Sequence, residues 1–148
     1  MIVALKYHNA RRMTAPLAAL LAEAIAHDLN VSLHGIDVVT WAPTSSAHRR
    51  RRGYDQAELI AHEVARRLQV PASCLLRRRG SVAQTGRSRV ERLTGPVFRA
   101  RSTVGGKRIL VVDDVATTGA TLRAARRALR AAGAELVYCW AVAGTPAR

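Results

Sequence analysis

Cysteine, aromatic side chains and acidic side chains are all scarce in this chain of 148 residues. The two cysteines, Cys74 and Cys139, lie far apart, and each has apolar neighbours. This placement predicts two buried small side chains rather than a disulfide or a metal-binding pair. Aromatic residues make up only 4% of the chain, so platforms for stacking bases are few and any nucleic-acid recognition should be independent of sequence.

The chain also lacks a long apolar run and a signal-peptide pattern. No apolar stretch approaches the ~18 residues that a membrane span needs. The short apolar start is interrupted by Lys6, His8, Arg11 and Arg12, which does not suit a secretory signal. We therefore predict a cytoplasmic protein without membrane insertion. The length predicts a single domain over residues 1–148, because one core suffices for a chain of this size.

Two common catalytic signatures are missing. The phosphate loop of nucleotide hydrolases ends in Gly-Lys-Ser/Thr before a helix, whereas the Gly-Gly-Lys-Arg run at 105–108 precedes a predicted strand. His62 and Glu63 have no second histidine at the spacing of zinc proteases, and the five histidines form no cluster. We therefore expect no zinc in this chain.

Arginine, in contrast, is in excess. The chain has 24 basic and 10 acidic residues, which gives a formal net charge of +14. The planar guanidinium matches phosphate oxygens, so the excess favours polyanionic partners, either nucleic acid or phosphorylated small molecules. The alternative stays open that an alanine-rich and arginine-rich composition reflects codon usage and that the charges are solvated surface.

The apolar pattern predicts an α/β fold. Unbroken aliphatic runs are typical of strands buried on both faces, as in a parallel sheet, and helical spacing alternates with them along the chain. Asp55, with Glu58 three residues later, has the pattern of a helix N-cap and its partner. Helices are predicted at about 14–28, 55–68 and 119–132, and strands at 36–41, 74–76, 109–112 and 136–142.

Residues 77–101 differ from the rest, with many arginines, three glycines and almost no apolar pattern. Such a segment cannot bury much surface and should be mobile. A long stretch without structure is unusual in a compact domain. We interpret it as a flexible loop that closes over an anionic ligand, while an ordinary solvated connection is the alternative.

The chain is organised around residues 108–121, where an apolar run leads into Asp113 and Asp114 and then into a threonine and glycine loop before a helix. Free N–H groups at a helix start, the helix dipole and threonine hydroxyls together suit a phosphate. Gly119 would allow a ligand to approach the backbone closely. The two carboxylates would accept hydrogen bonds from a vicinal diol or face a divalent cation carried by the ligand. This combination predicts a site for a ribose 5-phosphate group.

Residues 112–121, VDDVATTGAT, resemble the ribose-phosphate loop of type I phosphoribosyltransferases. More narrowly, the ALKY sequence at 4–7, RRGYDQAEL at 51–59, and Gln84-Thr85 with Glu91-Arg92 resemble the ComF competence-protein family. The resemblance implies a type I phosphoribosyltransferase-like fold, which is a mainly parallel sheet flanked by helices with a flexible hood loop.

The resemblance also implies roles for individual residues. Asp113 and Asp114 would bind the ribose hydroxyls of phosphoribosyl pyrophosphate, with magnesium held through that ligand. The 5-phosphate would be held by Ala116, Thr117, Thr118, Gly119, Ala120 and Thr121. The pyrophosphate side would consist of Ala42, Pro43, Thr44, Arg51 and Arg52, and the hood would contribute Gln84, Arg89 and Arg92. Catalysis of transfer would then consist mainly of positioning and of neutralising the leaving group.

Two departures from the family pattern bear on these roles. ComF proteins usually begin with a cysteine-rich, zinc-binding segment, and this chain starts at the sequence that follows it, which leaves open either a truncated start or the absence of that segment. After Glu91-Arg92 the sequence LTGPVF at 93–98 is shorter than in the family, so the hood residues are the least defined. The acceptor stays open, and so does the alternative of a domain that has lost transfer activity.

A second hypothesis follows from the competence role that the family name implies. A DNA-uptake accessory protein without enzymatic activity would contact single-stranded DNA through Arg49–Arg52 and Arg77–Arg79, and its partners would be that DNA or other competence proteins. This hypothesis predicts binding that weakens with salt. The hypothesis of DNA contact is compatible with binding of phosphoribosyl pyrophosphate. The sequence leaves the oligomeric state open.

Overall fold

The computed structural model describes residues 10–28, 34–45, 49–50, 55–79, 96–116 and 118–144. Three helices and five strands lie in these ranges, and they alternate in the manner of an α/β protein. In chain order they are α1 (Ala10–His27), β1 (Val38–Trp41), α2 (Gln56–Leu68), β2 (Leu76–Arg78), β3 (Phe98–Ala100), a 3-10 turn (Ser102–Val104), β4 (Arg108–Ala116), α3 (Ala120–Ala131) and β5 (Leu136–Gly144).

The main sheet has the order β1-β4-β5, and both pairs of strands are parallel. The central strand β4 contains the four aliphatic residues of the sequence motif, Ile109, Leu110, Val111 and Val112, and all four are fully buried. This confirms the predicted buried parallel sheet. Strands covered on both faces carry continuous apolar runs for this reason.

The side chains of β4 alternate between two apolar cores. Ile109 and Val111 pack into the core on the α3 side, whereas Leu110 and Val112 pack into the core with α1 and α2. Successive side chains of a strand point to opposite faces, so a single strand supplies both cores. Helices therefore cover both faces of the sheet, as in the predicted fold.

The central strand continues beyond its predicted end at Val112. It runs to Ala116, with Asp113 opposite Ala141 of β5 and Ala116 opposite Gly144. Because β5 also extends to Gly144, the backbone of β4 continues to pair with β5 beyond Val112. This backbone pairing does not depend on the side chains, so the polar aspartates do not end the strand. The two aspartates therefore lie within a strand, and the loop between β4 and α3 is much shorter than the sequence suggested.

The start of α2 is as predicted, and that of α1 is not. Asp55 caps α2 by accepting a hydrogen bond from the Ala57 N–H at 3.1 Å. Glu58, the predicted partner in the cap, instead forms a salt bridge with Arg49 at 3.5 Å. Helix α1 begins at Ala10, before the predicted start at residue 14, and continues through Pro16. A proline costs one backbone hydrogen bond, and apolar packing of α1 against α2 compensates for it.

Part of the segment predicted to lack structure forms a small antiparallel ribbon of β2 and β3. Leu76 and Phe98 anchor this ribbon, since both are buried in the core beside α3. The predicted strand at 74–76 corresponds to β2, shifted to 76–78. Leu76 and Phe98 are far apart in sequence and form no periodic apolar pattern. For this reason the sequence does not predict that their segments pair as a ribbon. Residues 80–95 lie outside the described ranges.

Both cysteines are free and half-buried, so they are less deeply buried than predicted. Their thiols lie near the carbonyl oxygens of Leu76 and Leu122, at 3.5 and 3.7 Å. Burial raises the pKa of the Cys139 thiol to about 11. Within the described ranges, no helix combines the length and the apolar character that crossing a bilayer would take.

Candidate active site

A cleft of about 190 Å³ opens at the carboxyl ends of β1 and β4. This is where ligands bind in open parallel sheets, because the loops that follow neighbouring strands meet there. It brings together both central aspartates, the predicted pyrophosphate-side residues that are described, and the start of α3. The lining residues are Ala42, Pro43, Thr44, Asp55, Gln56, Ala57, Arg78, Asp113, Asp114 and Thr121.

The register of the sheet explains why distant parts of the sequence meet here. Trp41 lies opposite Val112 in the parallel pair, so the next residues, Ala42 and Asp113, emerge side by side. The Ala42 N–H extends the ladder by donating to the Val112 carbonyl at 3.3 Å. The predicted pyrophosphate-side loop is therefore held directly beside the acidic pair.

Asp113 is the buried member of that pair. Asp113 is only 8% exposed, and its Oδ1 accepts a hydrogen bond from the Asp114 N–H at 2.9 Å. Burial raises the pKa of Asp113 to about 8, and the negative charges of Asp114 and Asp55 add to the effect. The two adjacent aspartates therefore differ in their surroundings, a difference that the sequence did not indicate.

The loop between β4 and α3 is short. Gly119 is the N-cap of α3 and has a φ of +73°, a left-handed conformation. The Thr118 hydroxyl accepts the Ala120 N–H at 3.3 Å, and the Thr118 carbonyl accepts a guanidinium hydrogen bond from Arg123 at 2.9 Å. Of the described residues in the predicted 5-phosphate set, Thr121 is the one that lines the cleft.

We expect Gly119→Ala to weaken this loop. A left-handed conformation costs an L-residue about 1–2 kcal/mol, and an added Cβ would lie 2.9 Å from Arg123 Nη1. The arginine can move aside, so the free energy of unfolding should fall by about 1 kcal/mol. Urea denaturation would measure the loss. Gly106→Ala is a matched control, since Gly106 also has a positive φ but no atom within 4 Å of the added Cβ.

Comparing the two glycine variants separates backbone strain from local contacts. Equal losses of stability would mean that backbone strain alone sets the cost. An unchanged stability in Gly119→Ala would contradict the loop geometry.

Asp55 is a member of the site that the sequence identified only as a helix cap. It is buried, and while one carboxylate oxygen caps α2 the other accepts the Thr44 N–H at 2.9 Å. One side chain therefore fixes the pyrophosphate-side loop to the start of α2. The cap pattern was visible in the sequence, but the second hydrogen bond depends on how the chain folds back.

Arg78 is a second residue of the cleft that the sequence analysis did not assign to it. It was grouped with Arg77 and Arg79 as a DNA contact, yet its side chain lines the cleft and Nη1 donates to the Pro43 carbonyl at 3.4 Å. The alternation along β2 is the cause, because Leu76 and Arg78 share the inner side of the ribbon and Arg77 lies on the outer side. Its neighbours in sequence gave no sign of this difference.

Several predicted residues are not placed by the structure. Thr117, Arg51, Arg52, Gln84, Arg89 and Arg92 lie outside the described residues. Arg49 and Arg50 are described and exposed, and neither lines the cleft. The predicted pyrophosphate-side and hood arginines therefore stay predictions.

The comparison with known families agrees with this architecture. A model of the phosphoribosyl transferase domain matches residues 55–148, which include α2, the acidic pair and the loop before α3. The chain belongs to the phosphoribosyltransferase family. Among solved structures, the glutamine phosphoribosylpyrophosphate amidotransferase from B. subtilis superposes with a TM-score of 0.60 at 28% identity, over 87% of this chain and 26% of that one.

Two curated relatives match nearly the whole chain. The DNA utilization protein YhgH of Escherichia coli is 28% identical over 95% of this chain, and competence protein F of Haemophilus influenzae is 27% identical over 93%. In both cases the match covers 64% of the relative. The chain therefore spans just under two-thirds of the length of these two relatives.

Asp113 and Asp114 are the side chains of the cleft that would face a magnesium ion carried by a ligand. Within the described residues, no group of three or more histidine, cysteine, aspartate or glutamate side chains is arranged to hold a metal. Magnesium commonly keeps several waters and uses one or two carboxylates together with substrate phosphates. The adjacent pair of Asp113 and Asp114 supplies that kind of partial donor set.

Proposed function

We propose that this protein binds phosphoribosyl pyrophosphate together with magnesium and transfers the phosphoribosyl group to an acceptor. The observation that supports the proposal is the single cleft where the acidic pair of β4, the Ala42–Thr44 loop and the start of α3 meet. A ligand with a diol between two phosphate groups would need these three parts next to one another. The proposal includes the cytoplasmic location predicted above.

Each part of the cleft has a task in this proposal. Asp113 and Asp114 would hydrogen-bond the ribose hydroxyls and fix the sugar ring. The N–H groups at the start of α3, with Thr118 and Thr121, would hold the 5-phosphate, because the first turn of a helix leaves its donors free. The loop held by Asp55 would lie on the pyrophosphate side. Together these contacts would fix the anomeric carbon relative to the acceptor, which is where positioning lowers the barrier.

Charge explains why the ligand would need a cation. The described lining of the cleft has three carboxyl groups, those of Asp55, Asp113 and Asp114, and one guanidinium, that of Arg78. A pyrophosphate would meet net repulsion there, despite the overall charge of +14. When bound, magnesium would neutralise part of the pyrophosphate charge and stabilise it as a leaving group. Arg78, which lies against the Pro43 carbonyl, would add positive charge on the same side.

Isothermal titration of the protein with phosphoribosyl pyrophosphate tests this proposal. With millimolar magnesium we expect saturable one-site binding, and with EDTA we expect the affinity to fall by at least roughly tenfold, which corresponds to about 1.4 kcal/mol. The acidic lining is the physical reason for the difference. Ribose 5-phosphate, which lacks the pyrophosphate, is the matched control ligand and should depend much less on magnesium.

Transfer is tested separately from binding. Pyrophosphate release would be followed across a panel of purine and pyrimidine bases in the presence of magnesium. Release with one acceptor would identify the substrate class. Binding without release for any base would support a ligand-binding domain that has lost transfer, and the absence of binding with magnesium would contradict the proposal as a whole.

A further inference from the structure

Gln56 contributes the amide side chain of the cleft lining, and it directly follows the cap residue Asp55. The residue is only 8% exposed and lines the cleft. Among the residues that the structure describes, none forms a hydrogen bond with its carboxamide. Buried polar groups are nearly always paired, because a missing hydrogen bond costs free energy. The free protein therefore keeps this polar group in the cleft at a cost to its stability.

The carboxamide of Gln56 opens on the cleft. In the described ranges, every side-chain nitrogen or oxygen that is shut off from solvent has a hydrogen-bond partner. Since the Gln56 carboxamide has no such partner there, its nitrogen and oxygen keep contact with solvent, and the cleft is the opening that this residue lines. The small exposed part of Gln56 thus presents an amide with two N–H donors and one acceptor to a ligand in the cleft.

The hydrogen bonds around Asp55 fix the position of Gln56. One carboxylate oxygen of Asp55 accepts the Thr44 N–H at 2.9 Å and the other accepts the Ala57 N–H at 3.1 Å. The Asp55 carbonyl accepts the Leu59 N–H at 3.2 Å and closes the first turn of α2. Gln56 lies between these anchored residues, so its backbone is fixed on both sides. Its side chain is therefore held beside the pyrophosphate-side loop.

We infer that Gln56 binds the pyrophosphate group of phosphoribosyl pyrophosphate through the N–H groups of its carboxamide. The inference rests on the proposed function, because it assigns a further residue to the same cleft. Phosphate oxygens only accept hydrogen bonds, so the Nε2 end of the amide faces the ligand. Hydrogen bonds from a neutral donor to an anion are strengthened by that charge. In a lining where Asp55, Asp113 and Asp114 outnumber Arg78, such a donor stabilises the anion without adding to the repulsion.

This role makes Gln56 a specificity-determining residue. Ribose 5-phosphate has the sugar and the 5-phosphate but no pyrophosphate, so it offers Gln56 no acceptor. The carboxamide then stays unpaired when ribose 5-phosphate binds, and it becomes paired when phosphoribosyl pyrophosphate binds. Gln56 therefore favours the ligand that carries a leaving group over the ligand that has lost it.

Gln56→Met tests the inference by isothermal titration in millimolar magnesium. Methionine has a similar length and no N–H donor, so the affinity for phosphoribosyl pyrophosphate should fall by at least roughly tenfold. Inorganic pyrophosphate with magnesium should lose affinity by a similar factor, and ribose 5-phosphate should bind as it does to the wild type. Without ligand, the melting temperature should stay the same or rise, because the variant no longer buries an unpaired amide.

The matched control is Gln69→Met at the other end of α2. Gln69 is exposed and lies outside the cleft lining, so this variant should bind all three ligands with wild-type affinity. Unchanged binding of phosphoribosyl pyrophosphate by Gln56→Met would overturn the inference and leave the proposed function intact. A lower melting temperature with equal losses for all three ligands would also overturn it, since Gln56 would then be a scaffold residue.

The same titrations separate the inference from the proposed function. Wild-type protein that binds pyrophosphate through Gln56 but does not bind phosphoribosyl pyrophosphate would contradict the proposed function and support the pyrophosphate contact. Wild-type protein that binds neither ligand in magnesium would overturn both.

Discussion

Asp113→Asn combined with Asp114→Asn is expected to abolish the binding of phosphoribosyl pyrophosphate while leaving the fold intact. In the proposed function these two side chains bind the ribose hydroxyls. Hydrogen bonds that involve a charged group contribute about 1.5–3 kcal/mol each, so losing two should lower the affinity by at least roughly 100-fold. Titration calorimetry with magnesium present would measure the change.

The fold should survive because asparagine has the same shape as aspartate. The hydrogen bond from the backbone N–H of residue 114 to the Oδ1 of residue 113 can form equally well with a carboxamide oxygen. The backbone pairing of β4 with β1 and β5 does not depend on these side chains. Thermal unfolding followed by circular dichroism should therefore show a folded, cooperative protein.

A matched control is Glu23→Gln with Glu135→Gln, which removes two negative charges from exposed positions outside the cleft. We expect this variant to bind phosphoribosyl pyrophosphate as the wild type does. If the aspartate variant also bound with unchanged affinity, the assignment of the diol site to the acidic pair would be wrong. Equal losses in the two variants would point to long-range electrostatics instead of direct contacts.

Asp113→Asn alone is expected to stabilise the free protein at alkaline pH. The pKa of Asp113 is raised to about 8 in the folded protein, from an ordinary value of 3.8. Between these two values the folded state holds a proton that the unfolded state releases, so the free energy of unfolding falls as the pH rises. Above pH 8 both states are ionised and the full cost of the buried charge remains. Asparagine carries no such charge at any pH.

Urea denaturation in EDTA at pH 5 and pH 9 would measure this effect. Each pKa unit corresponds to about 1.4 kcal/mol, so the free energy of unfolding of the variant should exceed that of the wild type at pH 9 by several kcal/mol, with about 6 kcal/mol as an upper bound. At pH 5 the difference should be much smaller. An equal difference at both pH values would show that the effect comes from packing and not from ionisation.

Asp37→Asn provides a contrast of opposite sign. Hydrogen bonds from Arg108 lower the pKa of Asp37 to about 2, and the pair is closed by a 2.8 Å contact between Asp37 Oδ1 and Arg108 Nη2. This group contributes stability above pH 4 and loses it as the pH falls towards 2. Its asparagine variant should therefore be less stable than the wild type at both pH 5 and pH 9. Asp113 and Asp37 are the same residue type in different surroundings, and their pKa values shift in opposite directions. Opposite effects of the two asparagine substitutions would therefore support the electrostatic argument.

The sequence by itself determined the parallel α/β fold, the family and the order of the central motif. Aliphatic runs such as Ile109–Val112 are a local signal, since a strand covered on both faces needs apolar residues at every position. The cap at Asp55 is equally local, because it depends on a few neighbouring residues. Signals of this kind can be read along the chain without knowing what packs against it.

Only the tertiary structure decided how the site is assembled and charged. The raised pKa of Asp113 depends on burial between strands and on Asp55, which lies far away in sequence. The inward position of Arg78 and the outward pairing of Arg77 with Arg99 depend on which side of the ribbon meets α3. Burial and pairing are set by segments that are distant along the chain, and a one-dimensional pattern does not contain those distances. For this reason the sequence located a ribose-phosphate motif, while the cleft around it emerged only from the fold.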